Sequence, residues 1–151
     1  NKRVVYGGGG IVPDVFVPID TTASSDLNND LIRKGVMNSF AITYTNKNRK
    51  KLLKEFPDVK TYIDGFDINL ATAELKAYAA EEDDEIDWNE EDFNRSKPMI
   101  EGRLKALIAR NLWDYSAYYQ VFNPYWNTYT KAVELLNQGE YGEFKLAESR
   151  F

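Results

Sequence analysis

Residues 100–112, Ile100-Glu101-Gly102-Arg103-Leu104-Lys105-Ala106-Leu107-Ile108-Ala109-Arg110-Asn111-Leu112, decide the fold. Ile100, Leu104, Leu107, Ile108 and Leu112 recur at spacings of 4, 3, 1 and 4, which puts all five on one face of a 3.6-residue turn. Upstream, Pro98 fits the first turn of this helix, or a kink in one that starts near Asn89. Downstream, Asn123-Pro124 opens a last helix. It carries Trp126, Tyr129, Val133 and Leu136 on one side and stops at Gly139.

The same periodicity runs backwards through the chain. Leu27 and Leu31, then Val36, Phe40 and Tyr44, repeat every four residues, with Ser24, Ser25 or Asp26 available as the N-cap. Gly35 leaves open either one weakened helix or two. Leu52, Leu53 and Phe56 carry helical character up to Pro57, and residues 58–66 read as a short helix stopped near Gly65. Asn69 can cap a helix running through Glu81, and the break falls at residues 85–88; residues 140–151 form a mixed tail. The first twenty residues read differently. Val4-Val5-Tyr6 and Val15-Phe16-Val17-Pro18 are β-favouring runs around Gly7-Gly8-Gly9-Gly10, so one or two short strands are predicted. A lone pair of strands is marginal in water and wants a larger sheet. With a start at Asn1 and not Met, this predicts the cut end of a longer protein.

Composition narrows the chemistry. The chain has 151 residues, 43% of them hydrophobic, enough for one domain. It contains no histidine and no cysteine, which excludes disulfides, thiolate nucleophiles, Cys/His zinc sites and any histidine-based triad within it. The net charge is −5, and nine of the 24 acids crowd into residues 81–92. No surface basic enough for nucleic acid is expected. The densest basic stretch, Lys47, Arg49, Lys50, Lys51 and Lys54, reads as the wet face of an amphipathic helix. No apolar run approaches the roughly 20 residues of a membrane span.

The local motifs do not assemble a site. The four glycines lack both the following GK[ST] and the GxGxxG spacing of phosphate loops, and read as a turn. Asp83, Glu85, Asp87 and Asn89 alternate as in a calcium loop. However, Trp88 stands where that loop needs glycine and Asn94 where it needs glutamate, so an acidic linker is the better reading. Ser24, Ser25, Ser39, Ser96, Ser116 and Ser149 lie in no nucleophile signature and read as caps and surface hydroxyls. Ser96 and Lys97 are neighbours, and neighbours on a helix point about 100° apart, so they form no dyad. Trp113, Tyr115, Tyr118, Tyr119, Phe122, Tyr125, Trp126 and Tyr129 are expected to fill joints between helices or domains; a stacking platform for sugar or bases is the alternative.

One longer match adds a family. Arg3-Val4-Val5-Tyr6-Gly7-Gly8-Gly9-Gly10-Ile11-Val12-Pro13-Asp14 resembles the end of the protease core in bacterial C-terminal processing peptidases, the tail-specific proteases. Lys47-Asn48-Arg49-Lys50-Lys51, Phe93-Asn94-Arg95-Ser96-Lys97-Pro98 and residues 103–113 resemble the helical extension of one long branch of that family. The resemblance implies a serine endopeptidase of the cell envelope or periplasm, with lysine replacing histidine as the general base. It places the serine–lysine dyad and a substrate-reading PDZ domain upstream, outside this chain. No catalytic, cofactor or metal residue is therefore assigned here, and no cofactor is expected. The expected fold is mainly α, with residues 1–20 finishing a protease-core sheet and residues 21–151 forming a helical domain. That domain is expected to support the core, to contact protein or peptide substrates, or to self-associate. The alternative is a stand-alone helical interaction module.

Overall fold

The computed structural model describes residues 15–18, 24–82 and 86–138. Among the described residues seven α-helices follow one another: α1 (Asp26–Arg33), α2 (Val36–Glu55), α3 (Val59–Gly65), α4 (Asn69–Glu82), α5 (Glu90–Leu112), α6 (Tyr115–Phe122) and α7 (Asn127–Asn137). A 3₁₀ turn, Asn123–Tyr125, joins the last two.

Most starts have a side-chain cap. Ser25, Asp58, Asn89 and Asp114 accept backbone N–H groups at the head of α1, α3, α5 and α6, satisfying donors that the first turn leaves orphaned. Asp58 and Thr61 form a reciprocal capping box. Gly35 settles the choice left open at its position. It takes φ = 74°, a left-handed conformation that costs a β-carbon dearly, so the chain turns there and two helices result.

The helix α5, about 35 Å long, is the centre of the domain. Its stripe residues Ile100, Leu104 and Ile108 are fully buried, and α1, α2 and α6 pack against it. Pro98 lies inside this helix, which begins at the Asn89 cap, in line with the second of its two sequence readings. Met37, Phe40, Ala41 and Tyr44 come in from α2, Leu27 and Leu31 from α1, and Ala71, Leu75 and Ala79 from α4, closing one contiguous core. Arg49 fastens the far end. Its guanidinium donates to the carbonyls of Asn111 and Leu112, two of the unpaired acceptors at the C-terminus of α5.

The expected strands require correction. Among the described residues there is no strand or sheet, so the described domain is all-α. Residues 15–18 are β-rich in composition but join no ladder, because no second edge lies beside them to take up their backbone groups. They lie instead along α7, where Asn127 Nδ2 donates to the Pro18 carbonyl at 3.0 Å. Val4-Val5-Tyr6, the four glycines and residues 139–151 fall outside the described residues. So does the calcium-like start at Asp83.

Candidate functional site

A cleft of about 240 Å³ lies between α4 and α5. Trp88 and Phe93 make one wall, their rings 5.3 Å apart and inclined by 31°. Lys76 reaches across from α4 to donate to Glu90 and stands 6.0 Å from the Trp88 ring. Lys97 stands 5.9 Å from the Phe93 ring and 3.9 Å from Glu101. The two lysines and two glutamates balance in formal charge.

Glu101 is the electrostatically distinctive group. Its side chain is only 17% exposed, and Oε1 is buried without a hydrogen-bond partner. Burial pushes its carboxyl above the ordinary glutamate range, and the nearby Lys97 only partly offsets this. The neighbouring Thr72 hydroxyl donates to the Ile68 carbonyl at 3.1 Å, and its proximity to Glu101 lowers the carboxyl's pKa without overcoming burial. For an acid whose folded pKa is raised, stability is greatest at low pH and falls as pH rises through that pKa. Glu101→Gln is therefore expected to melt above the wild type at pH 8, with the gap closing towards pH 4. Thermal melts at the two pH values check this, and an unchanging gap would contradict it.

Ser25 is the cap of α1, and Ser39 and Ser116 are surface hydroxyls, as expected. Ser96 differs: it is fully buried, and its Oγ donates to Ser25 Oγ at 2.7 Å, bracing the α1 cap against α5. Lys97 points outward to the cleft, so Ser96 and Lys97 diverge. Lys50, Lys51 and Lys54 do line a wet face, whereas Arg49 is drawn inward to α5. Among the described residues no group of carboxylates could hold a metal, and no helix is long and apolar enough to cross a membrane.

The aromatic concentration divides in two. Phe122 fills the core, while Tyr115, Tyr119, Tyr125, Trp126 and Tyr129 are exposed. Gly102 on α5 explains how Tyr125 approaches so closely, since a β-carbon there would lie 2.7 Å from its ring. The helix α6 was not legible as a separate element. Asp114, three residues before the Ala117 N–H it accepts, is the signal that marks its start.

These features define a helical domain organised around one long central helix, with no assembled catalytic group among the described residues. The chain belongs to a family of unknown function (DUF8443), whose profile matches residues 27–114. That span covers α1 to α5 and ends at the cap of α6, leaving α6, the 3₁₀ turn and α7 outside it. No curated protein and no solved structure matches the chain.

Proposed function

We propose that the chain is the non-catalytic helical domain of a serine endopeptidase of the C-terminal processing type, working in the periplasm or cell envelope on protein or peptide substrates. The observation that carries this reading is the resemblance of residues 3–14 to the end of that protease core, in direct continuity with residues 15–18, which lie against α7. The helical core is closed on itself, so its part is to support and orient the peptidase and not to supply chemistry. The lysine–serine chemistry belongs to the preceding domain, together with the PDZ module.

The purified chain is expected to leave an unstructured peptide intact. Cleavage that stays with the chain through successive columns would overturn the non-catalytic assignment. The sequence encoded in frame before Asn1 tests the family: a serine–lysine peptidase domain is expected there, and an unrelated domain would sink the reading. The second reading, a stand-alone interaction module, draws its support from the exposed rings of Tyr115, Tyr119 and Trp126.

A further inference from the structure

The arginines of this fold are partnered in two ways, and two of them in neither. Arg33 and Arg95 pair with acids, and Arg49 donates to carbonyls at the end of α5. Arg103 and Arg110, both half-buried on α5, form no ion pair among the described residues. A half-buried charge of this kind gives up hydration with no carboxylate to replace it. The acids close by in sequence are engaged elsewhere. Asp114 accepts the Ala117 N–H at the α6 cap, and Glu101 lines the cleft towards α4.

Both guanidiniums are nonetheless held in place. Arg103 and Arg110 stand seven residues apart on one face of α5, against Tyr115, Tyr118 and Phe122, which share a face of α6. Arg103 lies 4.9 Å over the Phe122 ring. Arg110 lies 5.6 Å over the Tyr115 ring and donates to Asn38 Oδ1 at 2.6 Å. Tyr118 falls between the two pairs, its ring 5.6 Å from that of Phe122. Its hydroxyl makes no hydrogen bond among the described residues, and the charge of both arginines acts on it. Stacking on a ring fixes a guanidinium by its face and leaves the N–H edge to bind. In Arg103 the Nε–H is buried without an acceptor, whereas the terminal nitrogens reach solvent.

A planar fork of N–H groups selects oxyanions, which accept two parallel bonds from one guanidinium. The spacing selects their number. Seven residues separate the arginines by about 10.5 Å along α5, and the rings that hold them are seven residues apart on α6 as well. Charge-assisted bonds are only about 2.7–2.9 Å long. One carboxylate or phosphate therefore engages one fork, and two acid groups on one molecule engage both.

We infer that the row Arg103–Tyr118–Arg110 along the α5–α6 seam is a binding site for a small ligand carrying two acid groups, one for each guanidinium, with the Tyr118 hydroxyl as a further donor. The inference does not depend on the function proposed above.

Titrations of the 15N-labelled protein at fixed ionic strength test it, following the Nε–H resonances of Arg103 and Arg110. The dicarboxylate suberate is compared with acetate, and triphosphate with inorganic phosphate. In at least one of the two series the longer anion is expected to shift both resonances and to bind about tenfold or more tightly than its single-group counterpart. The series that does so tells carboxylate from phosphate chemistry. Arg110→Gln should bring that affinity down to the single-group level, and Arg110→Lys should restore little of it, because an ammonium lacks the fork. Tyr118→Phe, which keeps the ring, should weaken binding about tenfold. Unchanged α5 amide resonances show that the variants fold, and the wild-type titrations decide without them. Equal affinity for one and two acid groups in both series would overturn the inference. So would shifts confined to one arginine, or spread over the exposed Lys50, Lys51 and Lys54.

Discussion

Phe122→Ala is expected to lower the unfolding free energy by about 3–5 kcal/mol, the range for truncating a fully buried aromatic side chain. Phe122 is 0% exposed and closes α6 at the point where three elements meet. Tyr118 and Trp126 lie 5.6 and 5.4 Å from its ring centre, and Tyr125 stacks on it at 5.9 Å with only 21° between the planes. The Arg103 guanidinium, from α5, stands 4.9 Å over the same ring. Alanine would remove the apolar area and also leave a cavity that the neighbours refill poorly. Tyr125 is held between Phe122 and the bare backbone of Gly102, and it cannot follow a missing partner without leaving that niche. The loss therefore spreads to the 3₁₀ turn and to the direction in which α7 projects. Urea unfolding measures it, with Tyr129→Ala as the control: this ring is exposed on α7, and its removal should stay within about 0.5 kcal/mol. A Phe122→Ala loss as small as the control would mean that the α6–α7 joint is not built around this ring.

The parts of this fold that were legible are those set by local chemistry. The stripe from Ile100 to Leu112 became α5 because a four-three spacing on a helix has only one buried face to offer. Gly35, Asp58 and Asn89 marked boundaries because left-handed backbone and capping carboxylates or amides act within three or four residues. What was not legible depends on partners far away in sequence. Val15, Phe16 and Val17 looked like a strand, yet strand propensity expresses itself only beside another edge. Here the neighbour is a helix. Ser96 was expected to be a cap or surface hydroxyl although it stands at the four-residue interval that leads to Ile100 and Leu104, the signal that marks it as buried. Its hydrogen bond to Ser25, 71 residues away, carries no such signal. Arg49 likewise belonged to a basic run whose other members stay in water. Only the proximity of the α5 terminus, 62 residues on, singles it out. The candidate cleft escaped the sequence for the same reason, since Thr72 and Lys76 of α4 line it together with Phe93 and Glu101 of α5 only through the tertiary fold.

Tyr62 separates packing from hydrogen bonding at a second site. Tyr62→Ala is expected to cost about 3–5 kcal/mol, and Tyr62→Phe only about 1 kcal/mol at neutral pH. The ring is 0% exposed, stacks on Phe66 at 4.7 Å and meets Phe56 and Trp113 edge-on, so α3 is held to the core largely through it. Its hydroxyl donates to the Lys105 carbonyl at 3.0 Å, and Lys105 returns the tie by donating Nζ to the carbonyls of Ile63 and Phe66 at the end of α3. Truncation to alanine undoes both; phenylalanine keeps the ring and loses one bond. Burial also drives the Tyr62 phenol far above the usual tyrosine range. A group whose folded pKa is raised contributes its full stability below the unfolded pKa, near 10, and loses it as pH rises beyond that. The advantage of wild type over Tyr62→Phe should therefore be constant from pH 6 to 9 and shrink above pH 10. Urea midpoints at pH 7 and 10.5 measure the difference. An advantage that held steady at the higher pH would mean that the phenol ionises in the folded protein, which its closed surroundings among Phe56, Phe66 and Trp113 do not permit.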